Sequence, residues 1–534
     1  MTENEDKKEE TAPVSTPVEN HPHKSESKSK QKDFIQKSIS WLKKDRLNLV
    51  LVAILIFAFA VRVHYFLLVG GEQPLWWDEL AFGSIAKNYV MHLWNSTDLI
   101  SKEIVIRPPL LPLVWAAFLL LKIPETYIRF ILEIIPSTLT ILFIYLAGKE
   151  IFNKKTGLIA AFIFSVSYIH LFYSLRLMTD IPSLTFLSAS LYFFVASLNK
   201  EKINYPQYSL SLFLLTLGAL TRYQNGIIFV LYFIILLLGK NLRLKDKKFW
   251  TYSFIGISPL LIFFILNIII FHNIFPAFLS DIYVGGVENK SPVAWNLINF
   301  IPLFLKTALI YFFLIGIFFL IYEIGISYNF ITSKKNLQYY LLTLLFFLFI
   351  FSFFIFYMRA AEDRWLMPAL IPLALITAFG IYNIYFYIEK YNKYAALVFI
   401  IVILFLGAQA QFKHADGLIK QKKDSYLQMK QGFEWIKDNT PKDSVIIGNA
   451  IQPYTVYYGE RQYLQLPQNE SNVNEIYEAD YLVIHTFVEQ PNYIIQYLQY
   501  NEDKWKMIQA YFFDSDQKQP AFILFENINK TNFG

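Results

Sequence analysis

Gln73-Pro74-Leu75-Trp76-Trp77-Asp78-Glu79 follows the first long apolar segment by a few residues. From Leu80 to Leu93, Phe82, Ile85, Ala86, Tyr89, Val90 and Leu93 recur at helical spacing. Ser84, Lys87, Asn88 and His92 take the other face. The pattern predicts an amphipathic helix in a membrane surface with two carboxylates in its first turn. A carboxylate at a helix start is favoured by the dipole, so capping by Asp78 alone would also explain it. The rest of the chain decides between the two.

The 534 residues are 55% hydrophobic and 18% aromatic, with only 17% charged. That composition predicts a polytopic α-helical membrane protein. The net charge of +6 is spread along the chain, so nucleic acid is not a predicted partner. With no cysteine, disulfides, thiolate metal sites and cysteine nucleophiles are excluded. Residues 1–32, rich in Lys, Glu, Ser and Pro, read as a disordered cytoplasmic tail, and 33–46 as a basic interfacial helix.

Apolar segments at 47–69, 130–148, 156–175, 181–198, 206–220, 227–239, 250–271, 296–321, 339–357, 365–388 and 394–412 predict about eleven spans. Residues 110–121 are too short and follow Arg107-Pro108-Pro109, which imposes extended backbone, so they read as re-entrant or interfacial. With the N-terminus inside, the loops 149–155, 199–205, 240–249, 322–338 and 389–393 face the cytoplasm. Their basic residues are lysines apart from Arg243, which satisfies the positive-inside rule. The sequons at Asn95, Asn289, Asn469 and Asn529 all then fall outside. From 413 the chain turns soluble. Helices at 424–438 and 491–499 alternate with short β-rich runs, predicting a C-terminal extracytoplasmic α/β domain. Three parts result: tail 1–32, membrane domain 33–412 and outer domain 413–534.

The residues that break the apolar pattern collect on the outer face: Asp78-Glu79, Arg107, Arg129, Arg176 to Asp180, Arg222 and Arg359 to Arg364. Ionisable groups at membrane depth are costly and point to function. Arg62, inside the first span, is expected to pair with one of the carboxylates. Arginine is the residue for bidentate phosphate contacts. Two acids and several arginines above a membrane suit a lipid-linked phosphate substrate.

Trp-Asp-Glu after the first span, Arg-Pro-Pro-Leu, Arg-x-x-x-Asp before a later span and a basic residue between two short spans form an ordered set. Over about 47–412 it resembles the protein O-mannosyltransferase and aminoarabinose transferase type of glycosyltransferase, in the glycosyltransferase C superfamily. The resemblance implies transfer of a sugar from a dolichyl or undecaprenyl phosphate carrier to an extracytoplasmic protein, glycan or lipid acceptor, at the cell membrane. It implies an acidic pair at Asp78 and Glu79 and a later aspartate at Asp180. The family's lysine or histidine before Pro-Pro falls here at Arg107. No cofactor is required, and a divalent metal is not indicated. In the implied inverting mechanism Asp78 is the catalytic base. Arg107, Arg176, Arg222, Arg359 and Arg364 hold the donor phosphate. Glu79, about 100° around the helix from Asp78, and Asp180 make acceptor or structural contacts, so Glu79→Gln should be milder than Asp78→Asn. A transporter or flippase for polyprenyl-linked lipid or sugar is the alternative. It would show internal repeats and mid-membrane charges, which this sequence lacks. An oligosaccharyltransferase would carry its Trp-Trp-Asp in a C-terminal domain.

Overall fold

The computed structural model describes residues 40, 45–70, 73–91, 107–198, 203–239, 244–276, 292–306, 309–329, 334–359 and 362–531. The tail, most of the basic 33–46 stretch, His92, Leu93 and the sequons at Asn95 and Asn289 lie outside them. Two compact units result, Met1–Val52 and Ala53–Gly534. In the first, Asp45 caps the start of α1 (Arg46–Val69) by accepting from the Leu47 amide at 2.9 Å. The second holds the helical bundle, the first loop and the C-terminal domain.

Eight helices among the described residues are long and apolar enough to cross a membrane. They are α1, α4 (Glu125–Ile151), α7 (Asp180–Ser197), α10 (Lys247–Phe271), α12 (Leu309–Asn329), α13 (Lys334–Ser352, extended by a wide turn to Met358), α14 (Leu370–Tyr391) and α15 (Lys393–Lys422). Three predicted segments form shorter helices near or below the spanning limit. These are α5 and α6 (Lys154–Val166, Tyr168–Tyr173), α8 (Tyr205–Thr221) and α9 (Ile227–Leu238). The 156–175 segment is divided at Ser167, and a second predicted span is also not continuous. The 296–321 segment breaks at Lys306, which has left-handed backbone (φ 49°), so α11 (Val293–Leu305) ends before α12 begins.

The core of the bundle is α14, whose residues Leu370 to Ile381 are all buried. It crosses α12 at touching distance. A Cβ on Gly316 would stand 2.0 Å from the Ile376 carbonyl oxygen, and one on Gly380 2.1 Å from that of Phe312. Small residues permit such backbone contact where no hydrophobic effect draws helices together. Serines supply the polar links: Ser190 of α7 lies 3.2 Å from Ser211 of α8 and 3.1 Å from Tyr232 of α9.

The first loop forms α2 (Trp77–Met91) and α3 (Leu110–Leu120). The expected surface helix is instead enclosed: every residue from Glu79 to Ala86 is buried, on both faces. The reason is the C-terminal domain, which covers the face left for water. A Cβ at Gly83 would meet the Tyr457 ring at 2.6 Å and Trp115 of α3 at 2.9 Å. Leu80, Phe82, Leu111 and Trp115 share one hydrophobic cluster with Phe433, Tyr454, Tyr457 and Phe522. Each large side chain buried there contributes about 1.5–3 kcal/mol. Lys87 crosses to Glu460 at 2.9 Å.

The C-terminal domain has helices α16 (Leu427–Asn439) and α17 (Ile494–Tyr500) on a five-stranded mixed sheet. The strands β1 (Val445–Gly448), β2 (Gln462–Gln465), β3 (Tyr481–His485), β4 (Trp505–Phe512) and β5 (Pro520–Asn527) lie in the order β2-β1-β3-β5-β4. β1 runs parallel to β2 and β3, and β5 antiparallel to β3 and β4. The residue 412/413 boundary falls inside α15, which continues to Lys422.

Candidate active site

α2 begins at Trp77, so Asp78 and Glu79 lie in its first turn and leave it in different directions. Glu79 is fully buried. It accepts hydrogen bonds from the amides of Trp76 (2.7 Å) and Leu177 (2.6 Å) and pairs with Arg176. Arg176 is 2% exposed. It donates to Gln73 Oε1 (3.1 Å) and the Pro74 carbonyl (3.0 Å) and stacks 4.1 Å over the Trp76 ring. The pair staples the first loop to the segment before α7. A buried guanidinium so occupied is not open to a ligand.

Asp78 is set differently. Its side chain is 27% exposed, lying 3.1 Å from Arg107 Nη1 and paired on its other oxygen with Arg364. Arg107 rests 4.9 Å over the Phe82 ring, and its carbonyl accepts from Tyr223 at 3.3 Å. Arg364 also pairs with Glu362 and reaches Met178 Sδ at 3.2 Å. Burial by itself raises the Asp78 pKa. Arg364 and Arg107 together outweigh it and hold the carboxyl well below the usual range. The stability Asp78 contributes is therefore complete above the pKa of a free aspartate, and is lost only as pH falls through the lowered value.

Asp180, at the start of α7, pairs with Arg222, which lies 3.5 Å from the Arg364 carbonyl. Arg359 is half-buried with left-handed backbone (φ 50°), ending the wide turn after α13. Among the described residues Arg62 pairs with no carboxylate, contrary to expectation. It donates to the Ala58 and Ser165 carbonyls (2.9 and 3.3 Å) and lies 2.7 Å from His170 Nδ1, because α5 and α6 rather than the first loop pack on its side of α1.

A cavity of about 640 Å³ opens on Asp78 and Arg364. Its other walls include Trp76, Trp77, Tyr173, Asp363 and Tyr426. Asp363 receives the Tyr168 hydroxyl at 3.3 Å. Sequence reasoning counted Asp363 among the outer-face charges without giving it a role, and did not single out Tyr426. Asp363 stood in a loop already explained by its arginines, and Tyr426 carried no polar signal. Behind the site an apolar cavity of about 530 Å³ lies between α8, α9, α10 and the turn after α13, walled by Tyr223, Phe264, Phe353 and Tyr357. Among the described residues no three His, Asp or Glu side chains gather as metal ligands. Asp78 stands between the Arg107 and Arg364 guanidiniums, at a cavity wall that also carries Glu362 and Asp363.

An apolar helical bundle with a charged cavity beside a C-terminal α/β domain is the architecture of a polytopic membrane protein. The family described as dolichyl-phosphate-mannose-protein mannosyltransferase matches residues 106–269. The fold is similar to ArnT from Cupriavidus metallidurans bound to undecaprenyl phosphate (TM-score 0.60, 12% identity, 90% of this chain and 98% of that one). It is also similar to the oligosaccharyltransferase AglB from Archaeoglobus fulgidus in complex with an inhibitory peptide and a dolichol-phosphate (0.58, 14%, 92% and 75%). Arabinofuranosyltransferase AftD from Mycobacteria aligns with 88% of this chain and 40% of its own (0.52, 10%). No curated protein matches the sequence. The chain is a multi-pass membrane protein with the fold of these enzymes, and the match to the mannosyltransferase family model is confined to residues 106–269.

Proposed function

We propose that this chain transfers a sugar from a polyprenyl phosphate carrier to an extracytoplasmic acceptor, with inversion, using Asp78 as base. The observation that carries this is one carboxylate held between two guanidiniums at the mouth of a polar cavity, beside an apolar cavity suited to a lipid chain. Asp78 takes the proton of an acceptor hydroxyl, and that oxygen attacks the anomeric carbon. The bond from that carbon to the phosphate oxygen breaks, and polyprenyl phosphate departs with one more negative charge than the donor's phosphodiester. Arg107 and Arg364 receive that charge. No general acid is needed, because the phosphate is a stable anion. Arg222, fixed by Asp180, supports the Arg364 loop. Arg176 holds Glu79, and Arg359 is a further candidate for the phosphate.

The arginines cannot grip Asp78 and a phosphate at full strength together. Donor binding draws them off and lets the Asp78 pKa rise toward the ordinary range. The acid limb of kcat, which reports the donor complex, should then lie at higher pH than that of kcat/KM, which reports the free enzyme. Coincident limbs would refute the exchange. Lysine in place of Arg364 or Arg222 keeps the charge and loses the bidentate fork, so transfer should fall in both variants. Wild-type turnover in both would reject their role.

The N-terminus is cytoplasmic and the C-terminal domain extracytoplasmic in this reading, supported by the lysine distribution. Ser515 is exposed, and the chain has no cysteine of its own. Ser515→Cys should react with an impermeant maleimide in intact cells; reaction only after permeabilisation reverses the topology.

A further inference from the structure

The C-terminal domain contributes a second cavity beside the first. It measures about 570 Å³, within the range of small-ligand sites. The two cavities have Trp76 and Tyr426 as common walls. The second is lined further by Phe487 and Phe513 of the C-terminal domain and by Gln421 and Asp424 from the turn that ends α15.

The aromatic side chains form a connected set. The Tyr426 ring lies 4.9 Å from Phe487, which lies 5.4 Å from Phe513. Tyr426 itself has left-handed backbone (φ 67°), a conformation a tyrosine rarely adopts. Such backbone persists where the surroundings over-determine it, and it clusters at ligand sites. The turn is fixed from below: Gln428 donates to the Phe512 carbonyl at 3.1 Å, one residue before Phe513. On the wall common to both cavities, the Trp76 indole N–H has no partner among the described residues.

We propose that this second cavity is the acceptor subsite, and that it takes a carbohydrate chain. This rests on the sugar-transfer reading above and assigns the C-terminal domain its part in it. A pyranose ring presents apolar C–H faces and an equator of hydroxyls. Aromatic side chains take the faces. The amide of Gln421 both donates and accepts, and the carboxylate of Asp424 accepts, as neighbouring hydroxyls require. A sugar seated against Phe487 and Phe513 directs its terminal hydroxyl past Trp76 and Tyr426 toward Asp78. The three cavities then divide the substrates: lipid chain in the apolar one, reacting groups in the one at Asp78, acceptor in this one.

Binding to the full-length protein in detergent tests this by saturation-transfer NMR and titration. The probes are a panel of neutral tetrasaccharides, a serine- and threonine-rich peptide and undecaprenyl phosphate. Phe513 is 52% exposed, so Phe513→Ala leaves the fold intact. A tetrasaccharide should bind saturably, and Phe513→Ala should weaken it about tenfold, as loss of an aromatic contact does. Undecaprenyl phosphate should bind both forms equally. Asp78→Asn should still bind the sugar. Saturable binding of the peptide alone, no tetrasaccharide binding, or sugar binding indifferent to Phe513→Ala would each overturn the proposal. Failure of undecaprenyl phosphate to bind, with sugar binding as expected, would instead refute the donor and leave the sugar site standing.

Discussion

Asp78→Asn should fold and insert like the parent and transfer sugar about 10² to 10⁴-fold more slowly, the range for loss of a positioned base. The amide at the start of α2 is held by Glu79 rather than by Asp78, so the start of the helix survives. The two ion pairs that are lost are only partly open to water, with Asp78 27% exposed and Arg107 and Arg364 16% and 14%, so they are worth more than pairs on the surface. The variant should therefore melt somewhat below the parent while still folding. Donor affinity should not fall, because Arg107 and Arg364 are released for the phosphate. Matched melting curves and radiolabelled transfer from a polyprenyl-phosphate donor separate the possibilities. Normal transfer would leave Asp78 as the structural partner of two arginines and nothing more.

Its neighbour behaves in the opposite way. Glu79→Gln should be strongly destabilising, by about 3–5 kcal/mol, because it leaves a buried charge without its partner. Arg176 is 2% exposed and has no water to turn to. Glutamine preserves the shape and an acceptor for the Leu177 amide, so the loss isolates the charge. The readout is a fall in melting temperature and in yield of folded protein, while molecules that do fold keep a working Asp78. A variant as stable as wild type with lost turnover would move Glu79 into the chemistry. The milder effect expected from sequence rests on helix geometry alone. It could not include Arg176, because that partner is 97 residues away.

The same distinction runs through the rest of the molecule. Local pattern was enough for the apolar helices, for the acids in the first turn of α2 and for most of the C-terminal α/β domain. It missed β2, because Gln462-Tyr463-Leu464-Gln465 is a short edge strand with polar ends and no apolar run. It missed the break at Lys306, because the helices on both sides of it are equally apolar. It placed α2 at the membrane surface, because the tyrosines that cover it, Tyr454 and Tyr457, lie in a distant segment. The arginines all carried the same signal in the sequence. Burial sorts them: Arg62, Arg129 and Arg176 are enclosed and hold the fold, while Arg107 and Arg364 flank the acid that faces the cavity.

The most direct test of sugar transfer uses purified protein in sealed vesicles, with a donor labelled in both its sugar and its polyprenyl chain. The expected result is separation of the two labels. Sugar becomes linked to an acceptor, free polyprenyl phosphate accumulates in equal amount, and neither happens with Asp78→Asn. If instead the labels remain joined and the intact donor merely moves from one leaflet to the other, the chain is a transporter and the catalytic account is wrong.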